Sequence, residues 1–63
     1  MRLEQFLDLI PGELVEVVER NTFVYEADKN AIRKYKPELL DREVYRIEPS
    51  GLTRLTVYIR EVA

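Results

Sequence analysis

The 63-residue chain has no cysteine and no histidine. Without cysteine there is no disulfide to staple the fold and no thiolate to bind a metal. Without histidine, the commonest zinc ligand and the usual general base near neutral pH are missing too. The single serine, Ser50, has no such partner, so a conventional nucleophile–base pair cannot be assembled. Glycine is scarce: Gly12 and Gly51 are the only two, which excludes a glycine-rich phosphate loop. Glu13, Glu16 and Glu19 are close in sequence, but along a strand they alternate between faces and do not converge. Long apolar runs are also lacking. "MRLEQFLDLI" is interrupted by Glu4 and Asp8 and is too short to cross a bilayer, and it does not read as a secretory signal. Together these absences predict a non-enzymatic protein with no catalytic residues, no cofactor, no metal and no membrane segment. Lack of cysteine also suits a reducing cytoplasm.

The length suits one domain, residues 1–63. A chain this short buries only about 60% of the surface that it exposes when unfolded. Per-residue norms put its net stability at roughly 3–9 kcal/mol. With disulfides and metals excluded, self-association is the remaining way to raise that margin, so a homodimer is one expected state.

Net charge is −2 but unevenly spread. Residues 1–28 carry two basic and seven acidic side chains, net −5; residues 29–63 carry eight basic and five acidic, net +3. Either the halves attract each other within one fold, or the basic half faces a partner.

Hydrophobic spacing orders the elements. Leu3, Phe6, Leu7 and Ile10 follow i, i+3, i+4, i+7, predicting a short helix that Pro11-Gly12 stops. "ELVEVVER" and "TFVYEA" read as a hairpin turning at Asn21, which tolerates positive φ. Asp28 is a candidate N-cap for a short helix over 29–36, with Ala31, Ile32 and Tyr35 on one side. Pro37 then starts one turn carrying Leu39 and Leu40. "EVYRIE" and "LTRLTVYIREV" form a second hairpin, with "PSG" as its turn and Gly51 left-handed. A three-residue loop would place Tyr45 opposite Leu55 and Ile47 opposite Thr53. A four-residue loop would pair Val44 with Leu55 and Tyr45 with Arg54. The sequence leaves the register open, and a bulge would bury both Val44 and Ile47.

The expected fold class is therefore α+β: an N-terminal short helix packed on a mostly antiparallel four-stranded sheet of two hairpins, with a short helical connection between them. The expected core is Leu3, Phe6, Leu7, Ile10, Val15, Val17, Ile32, Leu40, Leu55, Val57 and Ile59.

Two groups of residues are candidates for contact. "RKYK" clusters Arg33, Lys34 and Lys36 around a tyrosine, and the last strand sets Arg54, Tyr58 and Arg60 on one face, with Arg46 able to join them. Arginine and tyrosine together can dock a protein, or hold phosphates and stack bases as sheet-type single-strand binders do. A solvated sheet face is the plain alternative.

The passage "FLDLIP…ELVEVVERNTFVYEA…PELLDREVYRIEPSGLTRLTVYI" resembles short uncharacterised proteins of phages, prophages and mobile elements of Gram-positive bacteria. The likeness covers most of the chain and lies in hydrophobic and turn positions. Ala27 and Asp28 stand where such proteins often carry a glycine. It implies a small cytoplasmic accessory protein working through contacts, and no activity or site residue. The expected partner is another protein or a second copy of the chain. Nucleic acid is the weaker alternative.

Overall fold

The computed structural model describes residues 1–61. Val62, the end of the alternating C-terminal stretch, lies outside the described residues. The elements run α1 (Leu3–Leu9), β1 (Leu14–Glu19), β2 (Thr22–Ala27), α2 (Lys29–Tyr35), a 3-10 turn (Pro37–Leu39), β3 (Val44–Gly51) and β4 (Arg54–Ile59). This is the α+β arrangement expected, with the sheet in the order β2-β1-β4-β3. Both hairpins are antiparallel, and they join through a parallel pairing of β1 with β4.

Local chemistry explains the boundaries. Gln5 reaches back to accept from the Arg2 N–H at 2.9 Å, satisfying a donor at the start of α1. The helix ends because Ile10, before Pro11, is extended (φ −106°, ψ 143°). Gly12 does not supply a left-handed exit, since no glycine here has positive φ. The β1–β2 turn uses Arg20 (φ 53°) and Asn21 (φ 60°), the paired left-handed residues of a two-residue hairpin turn whose twist matches its strands. Asp28 caps α2 by accepting from the Ala31 N–H at 2.8 Å.

One face of the sheet carries both helices. Leu3, Phe6, Leu7, Ile10, Ile32 and Leu39 pack there against Val15, Val17, Val44, Val57 and Ile59. Complete burial of side chains such as Leu3, Leu7 and Ile32 is worth about 1.5–3 kcal/mol each. Nine of the eleven expected core residues are buried; Leu40 and Leu55 are half-buried at its margin. Leu39 takes the place expected of Leu40, because the tight turn after Pro37 directs the earlier leucine inward. Tyr35 points to solvent, leaving Ile32 as the buried anchor of α2.

The second hairpin differs from both expected registers. Its turn is Leu52-Thr53, and "PSG" belongs to β3. Ile47 faces Val57, Val44 faces Ile59 and Gly51 faces Arg54, with irregularities around Tyr45 and Ser50. These extra residues shift the pairing in a way that alternation alone does not reveal. The bulge at Tyr45 lets Val44 enter the core, but Ile47, on the sheet edge, stays 42% exposed.

The acidic and basic halves meet inside the fold. Asp8 pairs with Arg33, Glu19 with Arg42, Glu26 with Arg54 and Glu61 with Arg20. The charge asymmetry is thus used to a large extent in cis.

Candidate interaction surface on the open sheet face

The register places side chains in rows across the face that has no helix. One row reads Phe23, Val18, Tyr58 and Arg46, through the partners Val18↔Phe23, Val18↔Tyr58 and Arg46↔Tyr58. The next reads Glu26, Glu16, Thr56 and Glu48. A third begins with Leu14 and Arg54. An apolar and cationic row therefore lies beside an acidic one.

Polar contacts tie the rows together. The Tyr58 hydroxyl donates to Glu48 at 2.7 Å, and Arg46 donates to the other oxygen of Glu48 at 2.7 Å. The Tyr58 hydroxyl, ahead of Arg46, holds the Glu48 carboxyl below its ordinary value, while accepting carboxylate holds the Tyr58 phenol above its own. Thr56 donates to Glu16 at 3.1 Å. Glu26 Oε2 is buried and lies 2.9 Å from Arg54 Nε, an ion-pair contact off the line of a good hydrogen bond. Arg46 sits over the Tyr58 ring at 5.3 Å and Arg60 over the Tyr45 ring at 5.0 Å, and the two rings are 6.3 Å apart. At these distances each guanidinium makes a cation–π contact with its ring.

The fold thus unites Arg46, Arg54, Tyr58 and Arg60 on one face. It does not bring Arg33, Lys34 and Lys36 to them, because α2 lies behind the sheet. Arg33 pairs with Asp8, Lys34 lies over Tyr35 and Lys36 over Tyr25. Phe23, Val18, Glu16, Glu26 and Glu48 belong to the face but were not expected there. Alternation places a residue only on a face of its own strand, and only the β1–β4 pairing sets these residues in rows.

Among the described residues no group of three acidic side chains is placed to hold a metal ion. No described helix is long and apolar enough to cross a membrane. Compared with known proteins, the chain matches no family model, no curated sequence and no solved structure.

Proposed function

We propose that this chain is a small non-enzymatic interaction protein, an accessory of the phage or mobile-element kind, that works in the cytoplasm by docking another protein on its open sheet face. The observation that carries this reading is the row Phe23, Val18, Tyr58 and Arg46, which leaves Phe23 59% exposed on the same face as Tyr58 and Tyr45, each with an arginine over its ring. Exposed aromatic residues and arginine are the types enriched where protein contacts form. The adjoining acid row favours a protein partner. A polyanion laid on the arginines would run against Glu16, Glu26 and Glu48, whereas a protein surface can present cations to the acids and carboxylates to the arginines. Four strands of six to eight residues span roughly 400 Å², about half the area that each partner buries in a standard interface, so the contact is transient.

The test is affinity capture from a bacterial lysate with the native chain and with Arg46→Ala/Tyr58→Ala. Partners lost with the variant, kept by Lys34→Ala and insensitive to nuclease support the reading. An unchanged set of partners overturns it. Capture of nucleic acid alone, weakening steeply with salt, would favour a nucleic-acid module instead.

A further inference from the structure

Among the described residues nothing pairs with the outer edge of β2. No turn, loop or cap hydrogen bond among the described residues uses the backbone of Thr22–Ala27. The strand has no proline, lysine or arginine, the residues that usually blunt an edge. Its neighbour is known on one side only: Glu19↔Thr22, Val18↔Phe23, Val17↔Tyr25, Glu16↔Glu26 and Val15↔Ala27, with Val24 the extra residue of a bulge.

The two-residue turn makes Glu19 and Thr22 a hydrogen-bonded pair. Alternation, interrupted once by the bulge, then directs the N–H and C=O of Phe23 and of Glu26 away from β1. Phe23 and Glu26 also share the open face, while Thr22, Val24, Tyr25 and Ala27 lean toward the helices. Read from either end, this pattern of faces is the same.

We infer that β2 pairs antiparallel with β2 of a second copy, about a two-fold axis between Val24 and Tyr25. Phe23 of one chain then faces Glu26 of the other, and each such pair aligns the outward peptide groups of both strands. Bulge meets bulge, so the register closes without a slip. Like a true isologous contact, the edge is complementary to itself. The result is a continuous eight-stranded sheet. Six residues per strand make a small interface, so association belongs in roughly the micromolar-to-millimolar range. It does not use Arg46 or Tyr58, so its failure and that of the docking reading are separable.

The first measurement is sedimentation equilibrium of the native chain from roughly 1 µM to about 1 mM, where a monomer–dimer equilibrium is expected. A monomer throughout overturns the proposal. The second uses a synthetic chain N-methylated at the Phe23 amide, which removes an outward donor twice per dimer and keeps every side chain. Its dissociation constant should rise about tenfold or more, with folding unchanged. An unaltered constant places the contact elsewhere and overturns the proposal. The third is Phe23→Cys/Glu26→Cys, in a chain that has no other cysteine. Three residues apart on one strand, these two sit roughly 9–10 Å apart and do not bridge within one chain. Mild oxidation should give a covalent dimer, and Ile47→Cys on the opposite edge should not. Equal yields from the two variants count against β2. Retained association with loss only in Ile47 variants assigns the contact to β3 and overturns it.

Discussion

The β3 edge carries Pro49, two bulges and a covering segment, in which Val44 donates to the Met1 carbonyl at 2.7 Å and Arg2 bridges to Glu43. The β2 edge has one bulge and no covering segment among the described residues. Proline removes a donor, bulges twist the ladder and a covering strand uses up what is left. Among the described residues the same sheet therefore has one edge that is partly blunted and one that is not covered. The contrast shows that edge protection is placed residue by residue and is no general property of small sheets.

Four measurements break or sharpen this contrast. The largest effect is expected from Ile32→Ala, which empties a fully buried site behind β2 and should cost about 2–4 kcal/mol. Hydrogen exchange should then speed up more in Thr22–Ala27 than in Val44–Gly51; equal acceleration would mean that the edges do not loosen separately. Next is Arg42→Ala. Arg42, only 14% exposed in its side chain, pairs with Glu19 and donates from Nε to the Arg60 carbonyl at 2.9 Å. Its loss strands both acceptors and should cost about 2 kcal/mol in chemical denaturation, with exchange rising first around Val44.

A smaller and opposite effect is expected from Arg20→Asn. Arginine holds φ 53° at a cost that asparagine largely avoids, so the variant should gain about 0.5–1 kcal/mol, seen as a higher denaturation midpoint at unchanged slope. Smallest is the pH response of the β3 side. Glu48, held below its ordinary 4.5 by the Tyr58 hydroxyl and then by Arg46, stabilises the fold above that value and loses its contribution as pH falls through the lowered pKa. Tyr58, held above 10.0 chiefly by Glu48, contributes below 10.0 and loses it as pH rises through the raised pKa. Tyr58→Phe should flatten both ends of a stability–pH curve while leaving the exchange of β2 untouched.

Much of this architecture was legible in the residues. The spacing of Leu3, Phe6, Leu7 and Ile10, the Asn21 turn and the Asp28 cap are local signals, each settled within a few neighbours. The pairing of β1 with β4 was not legible. Leu14 meets Arg54 across forty positions, and alternation reveals which face a residue takes without revealing which strand lies beside it. Hence the cationic ribbon Arg54, Tyr58 and Arg60 could be read from one strand, whereas the acid row Glu26, Glu16 and Glu48 draws on three strands and could not. "PSG" misled for a different reason: the bulges around Tyr45 and Ser50 moved the turn to Leu52-Thr53, which carries none of the usual turn residues.

Of the described strands, the last along the chain is an inner one: β4 fits between β1 and β3. During synthesis on the ribosome the first hairpin and both helices emerge with a gap where their central support belongs, and the layer cannot close until Ile59 has cleared the exit tunnel. Folding is thereby postponed until β4 has emerged, and chains cut short before β4 should be recognised by proteases as unfinished.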